Sequence, residues 1–419
     1  MSIIQTILGL GASVVMPIII TILGMILHLK FSKAFRAGMT IGIGFIGINL
    51  VVGLLSGTIG PAATAMTQNF GLSLHVVDVG RSVSSAIAFG TTIVPFVFVA
   101  CFVINLIMLF TNTTKTLNID VWNYWHFIFT GALVQYLTGN IWLGVLAACI
   151  AFVIIMKFAD FTAPIVQKHF DLPGISLPHT ESVSWAPIGI GLNMLIDKIP
   201  FINKINISGE GIQKRFGILG EPMVLGLILG SGIAAMAGYP IDKVIIVGVT
   251  MSAIMFLLPR MVRILMEGLL PLSDAAKAFM AKRFPGKEIY IGLDAAIAVG
   301  DPDVITTSLV MIPITILLAV ILPGNKMLPL VDLATIPFFM IWATIPSKGN
   351  LFRSIIVGTV FMVGILYIGT SLSPVITTMA QDVGFNFPKG ASMISSLDAG
   401  AHLIPYLIYK IVSFFAGIF

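Results

Sequence analysis

The sequence predicts an all-α polytopic membrane protein, and three observations carry that prediction. Hydrophobic residues make up 57% of the 419 residues, and charged ones only 10%. The mean hydropathy is +1.04, far above that of a chain whose surface faces water. Apolar runs such as Ile4–Leu29, Met39–Leu55, Thr92–Phe110 and Leu351–Ser371 each supply about the ~20 residues a helix needs to cross a ~30 Å hydrocarbon layer. A spanning helix satisfies its own backbone, so the polar residues left in or between the spans become the functional clues.

Taken in order, the spans fall near 4–29, 37–56, 92–111, 122–139 and 141–158, then 221–239, 243–259, 305–322, 332–346, 351–372 and 391–416, about eleven in all. Met1–Leu29 reads as the first of them, because it lacks the basic amino end of a cleavable signal. Residues 159–220 read as an amphipathic cytoplasmic linker, and 373–419 as a carboxyl-terminal span. Leu74–Thr92 is apolar but broken by Asp78, Gly80 and Arg81, and Ile291–Thr307 by Asp294, Gly300, Asp301, Pro302 and Asp303. Both read as re-entrant hairpins, near 74–92 and 291–307, whose irregular backbone needs protein or a watery cavity around it. Orientation follows from the basic residues. Lys30, Lys33, Arg36, Lys168, Lys204, Lys214, Arg215, Arg260, Lys277, Lys282, Arg283 and Lys287 fall on one side, and only Lys243, Lys326 and Lys389 on the other. The expectation is therefore amino terminus out and carboxyl terminus in.

The two halves echo one another. Pro17 to Gly24 resembles Pro222 to Gly230, and Lys33–Gly38 resembles Lys243–Gly248. Val77-Asp78, Pro95 and Gly139-Asn140 find counterparts in Leu293-Asp294, Pro313 and Gly349-Asn350. Five spans per copy, 1–158 and 221–372, would leave the second copy upside down. Inverted repeats of this kind are a transporter architecture, with substrate held near the midplane by broken helices.

Several chemistries are excluded. No His/Cys/Glu set has metal-ligand spacing, no Walker lysine loop occurs, and no Ser-His-Asp arrangement is visible, so neither a metal nor another cofactor is expected. The net charge of +5 is spread too thinly for a nucleic-acid site. Cys101 and Cys149 both lie inside apolar spans, where a thiol is inert.

The candidate site residues are the polar groups the spans retain. Glu221 stands at the entry of an apolar helix, where it either caps the helix or reaches substrate hydroxyls. Asp78 and Asp294 are paired by the repeat, and Arg81 stands close enough in sequence to neutralise Asp78. Asp301 and Asp303 flank Pro302 and form either a turn or part of a site. Asn123, His126 and Thr130 share a helical face on a span that also carries Gln135, with Trp122 and Trp125 beside them. Such a face suits a sugar, although aromatics at a span's end also form interfacial belts. His75 is similar to His126, whereas His28, His169 and His179 read as interfacial or loop residues.

Many stretches together resemble the galactitol-type membrane component, the IIC subunit, of the phosphoenolpyruvate-dependent sugar phosphotransferase system. They include Gly42–Gly47, Gly60-Pro-Ala-Ala63, Leu74–Gly80, Trp125-His126, Phe129–Leu133 and Lys214-Arg-Phe-Gly217. Gly220-Glu-Pro222, Ile291-Gly-Leu-Asp294, Pro323-Gly-Asn325, Leu333–Ile336 and Gly349–Arg353 continue the series across the chain. The resemblance implies the ascorbate–galactitol superfamily: a homodimer in the bacterial cytoplasmic membrane whose substrate-carrying core moves like an elevator. It implies a permease that binds galactitol or a related polyol outside and delivers it to a partner IIB protein, whose phosphocysteine phosphorylates it inside. No soluble domain with such a cysteine is present, so the donor is a separate chain. His126, Glu221, Asp78 and Asp294 stand in matching motifs as implied sugar contacts, with Glu221 the candidate base, and Asp398 resembles a family position of unknown role. The alternative is an ion-coupled secondary transporter of a small polar solute, which shares the repeats and midplane acids.

Overall fold

The structure is a computed structural model of the chain. It describes residues 12–69, 76–120, 122–200, 202–205, 207, 222–283, 288–329, 331–385 and 392–417. The first half runs through helices α1 (Ala12–Ile26) and α2 (Phe31–Asn69), strand β1 (Val76–Asp78), and α3 (Arg81–Gly90) with α4 (Val94–Phe110). Strand β2 (Thr116–Asn118), α5 (Trp125–Thr138), α6 (Ile141–Phe170), β3 (Ile175–Ser176), α7 (Thr180–Val183) and α8 (Ala186–Ile196) follow. The second half contains α9 (Pro222–Met236), α10 (Ile241–Arg283), β4 (Tyr290–Gly292), α11 (Ala296–Val299) and α12 (Pro302–Ile321). It closes with β5 (Met327–Leu328), α13 (Ile336–Thr344), α14 (Leu351–Asp382), β6 (Met393–Ser395), α15 (Leu397–Ala401) and α16 (Leu403–Phe415).

The protein is a mainly helical, polytopic membrane protein. Among the described residues, five helices are long and apolar enough to cross a membrane, within α2, α6, α10, α12 and α14. A sixth span counts if α3 and α4 are taken together, and they meet at a 95° bend. The about eleven expected spans therefore include several that are not single crossing helices. Residues 332–346 become a short 3₁₀ turn and the nine-residue α13. The expected 391–416 span is broken into β6, α15 and α16, with His402 between the two helices. Others run longer: α6 continues to Phe170, and α10 has 43 residues, about 65 Å at ~1.5 Å per residue.

The fold is also not purely α. Among the described residues, six strands of two or three residues form two parallel sheets, ordered β5-β1-β6 and β2-β4-β3. Val76 pairs with Met327 and Met393, and Ile291 pairs with Leu117 and Ile175. Each central strand thus comes from one half of the chain and both neighbours from the other. The reason is backbone accounting. Where helices are interrupted inside protein, extended segments must pair their N–H and C=O groups with one another. Strands this short carry no legible period-2 pattern, so hydropathy alone could not reveal them.

The linker expected over 159–220 also dissolves in its described part. Residues 159–170 are the last three turns of α6, while Ile175–Ser176 joins a sheet and Thr180–Val183 is fully buried. Asp160, just past the expected boundary at 158, is occupied within the protein. Its oxygens accept from the Thr114 and Thr116 hydroxyls, each at 2.8 Å.

Local sequence explains the main corners. Gly139 takes a left-handed φ of 68° to end α5, and the Asn140 side chain then accepts from the Trp142 and Leu143 amides to start α6. Gly349 (φ 70°) closes the turn that follows α13, and the Asn350 side chain accepts from the Arg353 amide to start α14. Small residues let α5 and α6 approach: a Cβ on Gly144 would lie 2.5 Å from the Gly131 carbonyl oxygen. The buried core around the short helices is aromatic, with Trp125, Tyr124, Phe127, Phe129, Trp342, Phe339 and Phe361 shielded from solvent.

Candidate functional site

The site is assembled where strands hand over to short helices. At the end of β1 the Asp78 carboxylate accepts from the Gly80 amide at 3.0 Å, and from the Val331 and Asp332 amides at 3.0 Å each. Gly80 has φ 80°, and a Cβ there would sit 2.6 Å from Val331 Cγ1, so only glycine lets the 331–332 turn lie against the start of α3. Asp332 then joins two helix starts, accepting from the Arg81 amide at 2.7 Å and the Asp398 amide at 3.1 Å. These clasps fix Arg81, the first residue of α3, and Asp398 of α15 side by side.

Arg81 is the hub of the cluster. Its Nη1 lies 3.4 Å from Glu181 Oε1 and its Nε 3.7 Å from Asp398 Oδ1. Nη2 donates to Asn123 Oδ1 at 3.2 Å and lies 3.3 Å from His179 Nε2, while the guanidinium packs over the Phe338 ring. His179 stands 3.6 Å from Glu181 Oε1 through Nδ1 and 3.5 Å from Asp294 Oδ1 through Nε2. The His126 ring is 4.8 Å, centroid to centroid, from both His179 and His402. His402 Nδ1 lies 2.7 Å from the Asp398 carbonyl oxygen, which can only accept, so Nδ1 carries the proton and Nε2 is left as the acceptor of the neutral ring.

What distinguishes this cluster is unmet hydrogen-bonding capacity. Glu181, Asp398, His126, His179 and His402 are all shielded from solvent. Yet both carboxylate oxygens of Glu181 and of Asp398, both nitrogens of His126, Nε2 of His402 and Nδ1 of His179 have no hydrogen-bond partner. Buried polar atoms without partners are costly, and so many in one place make this cluster the candidate site.

His126, His179 and Glu181 also bring ligating atoms within 4.8 Å of one another. Sequence spacing could not show this trio, because α5 and α7 supply its members from separate stretches.

The sequence-derived candidates sort clearly. His126, Asp294 and Asn123 enter the cluster, and Asn123 also donates to Asp120 at 2.7 Å. Asp78 lies beneath it, its oxygens occupied by backbone amides rather than by Arg81. Gln135 is more than two turns further along α5 and donates to Thr92 instead. The Thr130 hydroxyl bonds back to the His126 carbonyl. His75 and Glu221 lie outside the described residues. Asp301 is a turn residue, capping α12 and pairing with His169 at 2.9 Å. His179, expected in a loop or at the interface, is instead at the centre. Glu181, His402 and Asp332 were not singled out by sequence, and Arg81 only as a neutraliser. The available signal was the pair of polar stretches Pro178-His-Thr-Glu-Ser182 and Ser395-Ser-Leu-Asp398 inside an otherwise apolar chain.

Fold and cluster together define a class: a polytopic membrane protein with a closed polar site between broken helices. Comparison with known proteins makes this specific. The family model for the PTS system sugar-specific permease component matches residues 6–390. A putative permease IIC component of Escherichia coli K12 is 42% identical over 394 residues, covering 94% of this chain and 90% of that protein. The galactitol-specific EIIC component of the PTS system from the same organism is 40% identical over 407 residues, covering 97% and 90%. The chain belongs to the sugar-specific permease components of the phosphotransferase system. It is a sugar permease subunit, in a family whose members work with a phosphoryl-carrying IIB partner.

Proposed function

We propose that the permease binds galactitol or a related polyol in the Arg81–Glu181–Asp398 cluster and presents it to phosphorylated IIB on the cytoplasmic side. One observation carries the assignment of the site: the free acceptor atoms of Glu181, Asp398, His126 and His402 converge in one buried place. Each hydroxyl of a polyol supplies a donor and acceptors, the complement of such a wall. The galactitol-specific relative supports the substrate, and membership of the family favours group translocation over the ion-coupled alternative.

The chemistry asks little covalent help of this chain. As the polyol oxygen bonds to phosphorus, the S–P bond of the IIB phosphocysteine breaks, the thiolate leaves, and the hydroxyl proton passes to a carboxylate. Positioning and charge dominate such transfers, and a placed general base contributes about 10²–10⁴-fold. Glu181 and Asp398 are the cluster's described carboxylates whose buried oxygens accept no hydrogen bond, and Glu221, outside the described residues, remains the expected base.

The architecture we propose is a pair of inverted repeats, about 12–205 and 222–417. Support comes from element order: helix pair, strand, short helix, long helix, strand, two helices, strand, short helix and helix, once in each half. The mutually inserted sheets support it further. In this reading the repeat is longer than five spans, the two hairpins are re-entrant, and the core around the cluster moves against a scaffold of α1, α2, α9 and α10. Those four helices expose Ile18, Ile22, Ile43, Leu50, Ile228 and Ile246, faces suited to lipid and to a second copy in a homodimer. The basic residues support amino terminus out, carboxyl terminus in, in a bacterial inner membrane.

The test uses the full chain in proteoliposomes with phosphorylated IIB inside. Glu181→Gln should keep polyol binding within about tenfold while losing at least about 100-fold in sugar phosphate formation. Glu221→Gln run in parallel shows which carboxylate the proton uses. Unchanged binding and phosphorylation in Glu181→Gln would remove the cluster from the mechanism. Uptake of free polyol driven by an ion gradient alone would overturn group translocation.

A further inference from the structure

The cluster holds more carboxyl groups than cationic ones. Arg81 is its one guanidinium, and the cluster holds no ammonium among the described residues. Each Arg81 nitrogen already faces a protein partner: Nη1 Glu181, Nε Asp398, and Nη2 Asn123 and His179. Around it stand Glu181, Asp398, Asp294 and Asp332, of which Asp332 is occupied by amides of Arg81 and Asp398. The Glu181 and Asp398 oxygens accept no hydrogen bond and are shielded from water, although one oxygen of each lies at ion-pair distance from Arg81. A neutral hydroxyl donates to such oxygens. An anion has nothing to donate there, finds no free guanidinium edge, and meets like charge where solvent does not screen it.

We propose that Glu181 and Asp398 act as an anion filter, excluding sugar acids on entry and expelling the phosphorylated product once it forms. This rests on the assignment of the polyol site to the cluster. The two residues are symmetric in origin, each in the first turn of a short helix that follows a strand, α7 after β3 and α15 after β6. They therefore close on the ligand from both halves of the chain. Once the received proton has passed on to water, the recharged carboxylate faces the dianion that replaces one hydroxyl, and the repulsion favours its release.

The experiment is equilibrium binding to the purified full chain in lipid nanodiscs, with galactitol, its monophosphate ester and the galactonate anion as probes. In the native protein, galactitol should bind at least about 100-fold more tightly than either anion. In Glu181→Gln and Asp398→Asn, which retain shape and hydrogen-bonding atoms, the gap should shrink to about tenfold or less. Raising salt should leave the native gap largely intact, because the groups are buried. Native protein that binds galactonate or the phosphate ester as tightly as galactitol overturns the filter, and this measurement requires no variant to fold. A gap unchanged in both variants, with galactitol binding weakened, also overturns the filter while leaving the site in place. Galactitol binding and a gap that neither variant alters would instead overturn the site assignment itself.

Discussion

Arg81 shows how much one side chain organises here. A single guanidinium touches a carboxylate from each half of the chain, an amide and an imidazole, a set that Lys cannot match because its ammonium is a point donor. Removing one partner of a buried ion cluster strands the other charges. Arg81→Met should therefore cost about 3–5 kcal/mol, read as a large drop in melting temperature in detergent. Asp78 is equally consequential for a different reason. Asp78→Ala strands three amides, each worth about 1 kcal/mol or more when left unpaired, so destabilisation of at least about 3 kcal/mol is expected. By contrast Gln135→Ala should leave galactitol affinity within about twofold, because Gln135 bonds to Thr92 away from the cluster. An affinity loss above tenfold there would place the sugar further along α5.

At the scale of elements, strand-to-helix turns do the positioning. β1 enters α3 through Gly80, whose positive φ and missing side chain let the 331–332 turn supply Asp332 to the Arg81 amide. Gly80→Ala forces a positive φ with an extended ψ, a conformation essentially reserved for glycine and costing roughly 1–3 kcal/mol, and a clash with Val331. Because the turn that moves is the one that seats Arg81, polyol affinity should fall at least about tenfold even where the variant stays folded. Binding isotherms beside melting curves separate the two effects. Retained affinity would show that Arg81 reaches its partners without the clasp.

At the scale of the molecule, the long α2 and α10 run beside each other, and close contact is set by small residues. A Cβ on Gly268 would lie 2.7 Å from Ile41 Cγ1. α10 is about twice as long as the hydrocarbon layer is thick, and its sequence ends on Lys282 and Arg283. A basic edge suits a partner that arrives with a phosphoryl group. Charge reversal of Lys282 and Arg283 should weaken IIB association about tenfold or more and flatten its salt dependence, with polyol binding intact. Unchanged association would place IIB on another surface.

Composition alone determined that this chain lives in a bilayer, since hydrocarbon admits only a chain with few charges and long apolar runs. The order of Pro, Gly-Asn and Asp signals marked the corners, and Gly139-Asn140 and Gly349-Asn350 stand where helix ends and starts require them. His126, Asn123 and Asp294 were legible because a polar residue inside an apolar stretch is costly unless it is used. The tertiary structure alone decided that Glu181, His179, Asp398 and His402 join them. Their distances in sequence are large, and their neighbours read as a linker or as part of a span. Only the pairing of very short strands, each taking its partners from the other half of the chain, brings these helix starts to one point. That pairing arises from backbone groups with no water to satisfy them, a constraint that hydropathy does not record.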